Sequence, residues 1–342
     1  MKIVNVMFGK GLGGIEQAFV DYTEALLQHD HAVHAFAAPD AACINQLKLL
    51  DVDVSLIGNR GQWDPVCVYK LKQKMKALNP DVVIAHGNRA ICLLRKAVSG
   101  IPLIGVAHNY NFKHIVSCDA ILSITHEIKK QLIEKGFDKD LIHIIPNCIR
   151  VDRNVVAIDK VANDIPVVGA MGRFVEKKGF ESFLRALAIL KQRSIECHAL
   201  IGGDGNEGEH LKNLAHELLI DDRVSFTGWV DDKEAFFKRC DIFCIPSLHE
   251  PFGIIVLEAF ASSTPLVVTD SEGPSEIVTH NQDALVVEKG GFIGMADAIE
   301  SLMKDDDLMK RLSTHGRQVA IEQYSLPVVS VRLNQALMEI TQ

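Results

Sequence analysis

Residues 241–276 read DIFCIPSLHEPFGIIVLEAFASSTPLVVTDSEGPSE. An apolar run at Ile242–Ile245 gives way to a polar loop, a helical pattern opens at about Ile254, and a second apolar run follows at Leu266–Thr269. Strand, loop, helix and strand in that order make a βαβ unit, whose two strands lie parallel. Two carboxylates stand eight residues apart, Glu250 just after the first strand and Glu258 two turns into the helix. Between them Pro251-Phe252-Gly253 turns the chain, so the first N–H groups of the helix, at Gly253, Ile254 and Ile255, are left without helical partners. A helix start of this kind attracts phosphate, and carboxylates beside it accept hydrogen bonds from hydroxyls. A ligand that is anionic and rich in hydroxyls, such as a nucleotide sugar, satisfies both features. One capping glutamate and one buried glutamate would also account for these residues taken alone.

The same unit recurs along the chain. The pattern predicts strands at Lys2–Phe8, Ala32–Ala37, Asp53–Ile57, Val82–His86, Leu103–Ala107, Ala120–Ile124 and Ile142–Pro146, with helices at Ile15–Gln28, Val66–Leu78 and Glu127–Lys135 among those between them. A second series runs Val167–Met171, His198–Gly202, Val224–Thr227, Ile242–Ile245, Leu266–Thr269 and Ala284–Val287. Its helices are Phe180–Arg193, Gly208–Leu219, Lys233–Arg239, Ile254–Ser262, Gly294–Lys304 and Leu308–Gln323. The fold class is therefore α/β, with two doubly wound, Rossmann-like domains at 1–150 and 166–325, joined by a polar linker at 151–165. A last amphipathic helix within 326–342 either caps the second domain or crosses back onto the first. Open α/β sheets bind ligands at the carboxyl ends of their strands, so two such domains are expected to face each other across a cleft.

Three further clusters follow strands of the second series. In AMGRFVEKKGFESFLRAL (170–187), Arg173 and Lys178 place two cations in one strand-to-helix loop, which suits a diphosphate. In IGGDGNEGEHL (201–211), Gly203 and Gly205 allow a tight turn, and Asp204 or Asn206 is expected to cap the helix. FTGWV (226–230) ends another strand.

Composition narrows the classes. The 342 residues are 48% hydrophobic and 23% charged, which is globular. The net charge of −8 argues against nucleic acid as a partner. Residues 1–150 carry +3 and the remainder −11, an asymmetry that points the first half toward an anionic partner. Lys70, Lys72, Lys74 and Lys76 are spread around one helix there, with Arg89, Arg95, Lys96, Lys113, Lys129 and Lys130 nearby in sequence. The eight cysteines form no C-x-x-C and read as reduced core residues. Neither a signal-peptide run nor a membrane span is visible, so a cytoplasmic location is expected. Asp-x-Asp at 51–53 and the three aspartates at 305–307 read as solvated turns, and no metal is expected.

Taken together, GLGGIE (11–16), GVAHNYN (105–111), SITHEIKKQL (123–132), PNCI (146–149), GRFVEKKG (172–179), GGDGNEGEHL (202–211), FTGWV (226–230), PSLHEPFGIIVLEA (246–259) and EGPSEIV (272–278) resemble the retaining family-4 glycosyltransferases of the GT-B fold. The resemblance covers almost the whole chain. It implies that Arg173 and Lys178 hold the donor diphosphate, that Glu258 accepts from the ribose hydroxyls, and that Glu250 faces the donor sugar. It also implies that Phe252, Gly253 and Ile254 line the sugar and phosphate, with Gly203 and Asp204 in the same donor site. Val230 would meet the base through its backbone, and His108 of the first domain would lie beside the sugar. The expected reaction moves a sugar from a UDP- or GDP-sugar to a glycan or lipid-linked glycan, as in lipopolysaccharide or envelope polysaccharide synthesis, with no cofactor. Peripheral binding to an anionic inner membrane surface fits the basic first half.

The opening stretch FGKGLGGIEQ (8–17) carries a competing signal. Gly9, Gly11 and Gly14 fall on G-x-G-x-x-G, the spacing of a dinucleotide-binding turn. That motif needs an acidic residue at the end of the second strand, where Ala37 and Ala38 stand; Asp30 precedes the strand and Asp40 lies past Pro39. An NAD-dependent oxidoreductase would also leave residues 172–258 unexplained. A nucleotide-sugar 2-epimerase of the same architecture lacks the Arg–Lys and paired-Glu arrangement, and a sugar-binding scaffold would need those positions degraded. Gly13 and Gly14 are instead expected to let the backbone approach a donor phosphate or the acceptor.

Overall fold

The computed structural model describes residues 1–11, 13–151 and 163–341. The chain forms two compact units, one of Met1–Cys148 with Tyr324–Gln342, the other of Ile149–Gln323. Most of the expected linker, residues 152–162, lies outside the described residues.

In the first unit the elements run β1 (Lys2–Met7), α1 (Gly14–Leu27), β2 (Ala32–Ala37), α2 (Ile44–Leu49), β3 (Asp53–Leu56), α3 (Pro65–Leu78), β4 (Val82–His86), α4 (Gly87–Ala97), β5 (Leu103–Ala107), β6 (Ala120–Ser123), α5 (His126–Glu134) and β7 (Ile142–Ile144). The strands form one parallel sheet in the order β3-β2-β1-β4-β5-β6-β7. Strands such as β4 and β5 are buried along their whole length, which is why they read as continuous Val/Ile/Ala runs and not as alternation. Asp64 starts α3 by accepting from Val66 N (3.0 Å) and Cys67 N (3.0 Å) just before Pro65, and Thr125 starts α5 through Ile128 N (3.3 Å).

In the second unit the order is β8 (Val167–Met171), α6 (Phe180–Gln192), β9 (His198–Gly202), α7 (Gly208–Glu217), β10 (Val224–Gly228), α8 (Lys233–Lys238), β11 (Ile242–Ile245), α9 (Ile254–Ala261), β12 (Leu266–Thr269), α10 (Pro274–Ile277), β13 (Leu285–Val287), α11 (Phe292–Lys304) and α12 (Asp306–Gln323). Its sheet is also parallel, β10-β9-β8-β11-β12-β13. A core that includes Phe183, Leu184, Ile201, Cys244 and Val267 fills the space between sheet and helices. Buried Arg317 of α12 donates to the carbonyl of Ala261 at the end of α9, where a cation meets the negative end of a helix.

Helix α13 (Leu326–Ile340) belongs to the first unit, where it packs on α1. Val329, Leu333, Ala336 and Leu337 are buried, and polar bonds fix the register: His29 to Ser330 (3.2 Å), His31 to Asn334 (2.8 Å) and His143 to Glu339 (3.4 Å). All eight cysteines are buried thiols outside any disulfide. Among the described residues, no helix is long and apolar enough to cross a membrane.

Candidate donor site in the second unit and a histidine pair in the first

In each sheet the strand order reverses once, between β1 and β4 in the first and between β8 and β11 in the second. The crevice beyond the carboxyl ends of strands at such a reversal is where open α/β sheets take ligands. Arg173 and Lys178 follow β8, and Glu250, Phe252 and Gly253 follow β11. The two clusters separated by some seventy residues of sequence thus flank the reversal of one sheet.

Backbone bonds stitch these loops together. Gly172 N donates to Gly202 O (2.9 Å), Phe174 N to Asp204 O (2.8 Å) and Gly203 N to Gly228 O (2.7 Å), joining the loops after β8, β9 and β10. Lys177 O accepts from Leu248 N (2.9 Å) and His249 N (3.1 Å), tying the Arg–Lys loop to the loop after β11. Thr269 Oγ1 donates to Ser247 O at 2.5 Å, adding the end of β12. Gly179 makes the close packing possible: its φ is +67°, and a Cβ placed there would stand 2.0 Å from Pro246 O.

On this frame Lys178 Nζ forms an ion pair with Glu250 Oε2, with side chains 22% and 14% exposed. Arg173 is exposed and, among the described residues, has no carboxylate within ion-pair distance. Phe252 is buried. Gly253, at φ +91°, precedes α9, and no side chain among the described residues caps that end, so its first amides are available to an anion. Glu258 is the fifth residue of α9, about one turn in where the sequence pattern suggested two; it is 14% exposed and pairs with Lys233 Nζ of α8 at 2.5 Å. Val230 packs close above Gly202, where a Cβ would come within 2.6 Å of Val230 Cγ2.

One expectation changes. Neither Asp204 nor Asn206 caps α7; Glu207 precedes that helix, and the Asp204 carboxylate accepts instead from Gly205 N (2.7 Å) in a local turn. The opening glycines serve a carboxylate: Glu16 reaches back so that Oε2 accepts from Gly13 N (3.1 Å), and a Cβ on Gly9 would meet Glu16 Oε1 at 2.3 Å. A phosphate arriving at Gly13 and Gly14, the start of α1, would have to displace Glu16.

Three residues escaped sequence reasoning. Glu272 accepts from Glu250 N (3.2 Å), pairs with His249 Nδ1 (3.1 Å) and lies 3.4 Å from Lys289 Nζ, so it fixes the backbone that carries Glu250. Burial works against its ionisation, but its own N–H, His249 and the Glu250 N–H outweigh that and hold its carboxyl down to about 2. It stood inside the quoted motif 272–278, yet nothing in the spacing gave it a role. Lys233 had no signal at all. His86, the last residue of β4, is buried and hydrogen-bonded through Nδ1 to His108 Nε2 at 2.9 Å.

Burial holds His86 well below the usual histidine range and pulls His108 down to about 3, so both rings are neutral near pH 7. His86 Nε2 is shielded and, among the described residues, has no hydrogen-bond partner, with the Tyr22 and Phe19 rings crossing His86 at 86° and 72°. Donation from His86 Nδ1–H avoids stranding a buried N–H at that position and leaves His108 with its own proton on Nδ1.

No three His, Cys, Asp or Glu side chains among the described residues converge to hold a metal. The sequence model described as "Glycosyltransferase Family 4" matches residues 12–153, and that described as "Glycosyl transferases group 1" matches residues 154–319. The chain is 32% identical over 337 residues to the lipopolysaccharide core biosynthesis glycosyltransferase LpsE of Rhizobium meliloti, covering 96% of this chain and 97% of that one. Its fold matches Anabaena HepE in complex with UDP at a TM-score of 0.85 and 19% identity, over 99% and 100% of the two chains. It matches the lipopolysaccharide outer core galactosyltransferase WaaB at 0.80 and 19%, over 99% of each. The chain belongs to the family-4 glycosyltransferases of the GT-B fold.

Proposed function

We propose that this chain is a retaining, metal-independent hexosyltransferase that moves a sugar from a nucleotide-sugar donor to a glycan or lipid-linked glycan in lipopolysaccharide or envelope polysaccharide synthesis. The carrying observation is that Arg173, the Lys178–Glu250 pair, the uncapped start of α9 and Glu258 all gather at the strand reversal of one sheet. The lipopolysaccharide role of LpsE supports the pathway, and HepE's UDP favours a UDP-sugar over a GDP-sugar.

In this reading Arg173, Lys178 and the first amides of α9 bind the diphosphate, on which negative charge grows as the bond to the sugar breaks. The departing phosphate takes the acceptor's proton on the same face of the sugar. Glu250 holds sugar hydroxyls and Glu258 the ribose, with Gly203, Asp204, Phe252, Gly253, Ile254 and Val230 shaping the donor pocket. The resemblance assigns His108 to the sugar, and in this reading its neutral ring would act there as a donor through Nδ1–H. The protein supplies position and countercharge.

Membrane attachment is part of the proposal. Trp63 (78% exposed), Val66 and Tyr69 stand out on the surface at the start of α3, with Lys96 Nζ 3.8 Å over the Trp63 ring and exposed Lys70 beside them. Aromatic and cationic groups so mixed suit an anionic headgroup layer. Liposome co-sedimentation with no preference for anionic lipid removes this part.

The test is a thermal-shift panel of UDP-, GDP- and ADP-sugars with NADH as control, then transfer assays with the best binder. A nucleotide sugar should stabilise the protein, EDTA should leave turnover unchanged, and Glu250→Gln should abolish transfer while sparing the fold. Stabilisation by NADH alone overturns the reading.

A further inference from the structure

The first unit holds an open cavity of about 450 Å3 lined by Gly9, Lys10, Asn59, Arg60, Gly61 and Arg89. It is built from the chain just after β1, the chain after β3 and the first turn of α4, which directly follows β4. Since β1 and β4 flank the reversal of this sheet, the cavity occupies its ligand-binding crevice. Three of its six walls are cations.

Lys10 is paired with Asp40 at 2.6 Å. Neither Arg60 nor Arg89 has a carboxylate within ion-pair distance among the described residues, and Arg89 is steadied by a 3.4 Å bond from Nη1 to Phe8 O. Asp64 is near Arg60, but its carboxylate is spent on the N–H groups of Arg60 (2.8 Å), Val66 and Cys67 (3.0 Å each). Two guanidinium groups therefore remain for a ligand. Guanidinium forks match phosphate oxygens, and a phosphate monoester carries about −1.5 to −2 near neutral pH, which balances them. Asn59 adds a second sign of incompleteness: both its amide nitrogen and its amide oxygen are shielded from water without any hydrogen-bond partner among the described residues. Native proteins rarely leave such groups unmet.

We propose that this cavity binds an anionic group of the acceptor, a phosphate monoester on its terminal sugar, through Arg60 and Arg89. This rests on the transferase reading above and adds the acceptor's chemical class to it. An exposed cluster of solvated cations would bind no sugar phosphate selectively, and a donor-diphosphate site would be blocked by UDP.

Isothermal titration of the full chain with glucose 6-phosphate, glucuronate and glucose, each with and without saturating UDP, separates these outcomes. The expected result is glucose 6-phosphate binding at least tenfold tighter than glucose or glucuronate, unchanged by UDP, and weakened at least tenfold in Arg60→Gln, Arg89→Gln and the double variant. UDP affinity of those variants should stay within twofold of the parent. Equal binding of glucose and glucose 6-phosphate overturns the proposal, as does glucuronate binding equally well, competition by UDP, or a parallel loss of UDP affinity. If no nucleotide or nucleotide sugar binds the parent at all, it is the transferase reading that fails, and the sugar-phosphate titration still reports on the cavity.

Discussion

The sharpest consequence of the proposed donor-site geometry falls on Gly179, the turn between the Arg–Lys loop and α6. Its φ of +67° costs any residue with a Cβ about 1–2 kcal/mol. In addition, the Cβ of Gly179→Ala would stand 2.0 Å from Pro246 O, whereas real Cβ atoms keep at least 3.0 Å. The Arg–Lys loop must therefore back away from the loop after β11 by roughly 1 Å. Lys178 and Glu250 sit at the ends of these two loops, and a displacement of about 1 Å at a reacting centre can cost roughly 100-fold in rate. Gly136 provides the control, because its φ is +86° and no heavy atom would lie within 4 Å of its Cβ. Gly136→Ala therefore carries the same backbone strain without the collision. Both variants should lower Tm by about 2–8 °C, from roughly 2–4 °C per kcal/mol, the Gly179 variant by the larger amount. Only Gly179→Ala should lose about 100-fold in kcat/KM for transfer. If Gly179→Ala keeps kcat/KM within twofold of Gly136→Ala, the close approach of the two loops is not what aligns Lys178 with Glu250.

Two more predictions concern charges. Glu258→Gln should weaken UDP binding at least about tenfold, from the roughly 1.5–3 kcal/mol of a hydrogen bond to a charged group. Lys233→Ala, which removes an ion pair whose lysine is half exposed, should cost no more than about 1 kcal/mol in stability and leave UDP affinity within threefold; titration showing the reverse order would move the ribose contact to Lys233. The histidine pair makes stability pH-dependent. Because burial pulls His108 down to about 3 from an unfolded value near 6.5, its contribution is intact above 6.5 and is lost as the pH falls toward 3, when the unfolded chain takes up a proton that the fold refuses. Urea unfolding should show about 1–2 kcal/mol less stability at pH 5 than at pH 7 from this residue after screening, and His108→Gln should flatten that difference; an unchanged slope refutes it.

Strands were legible because both faces of each parallel sheet are covered, which forces near-continuous apolar runs such as Val82–His86. Helix α4 was less legible, since it starts at Gly87 immediately after its strand and has no side-chain cap. End-of-strand position located the loops that carry Arg173, Gly203, Val230 and Glu250, because a parallel sheet puts all its carboxyl ends on one edge. Partner choice was not legible. Lys178 meets Glu250 because β8 and β11 are neighbours, and nothing in the sequence places them side by side. Lys233 and Glu272 were missed for the same reason, as each acts through a residue brought near only by strand order. Asp204 was misread because one short carboxylate fits either a helix cap or a turn onto the next N–H, and Gly205 lies closer than α7.

The pairing of Lys178 with Glu250 carries a consequence for how the proposed donor site works. A mostly buried ion pair is weak evidence of stability, because desolvating two charges offsets much of their attraction. Its use lies in what each partner is released to do. A donor that offers phosphate to Lys178 and hydroxyls to Glu250 replaces one shared bond with separate bonds to two ends of one molecule. Neither side chain then has to be drawn from water when the donor arrives, so little reorganisation remains when charge develops on the diphosphate. The same logic explains why Glu272 is held as an anion behind the Glu250 backbone: with its carboxyl down at about 2, it stays charged throughout the working pH range and keeps the Glu250 N–H and His249 in place. Loss of either partner of the pair should therefore appear in kcat more than in folding, which is the split expected of groups positioned for a transition state.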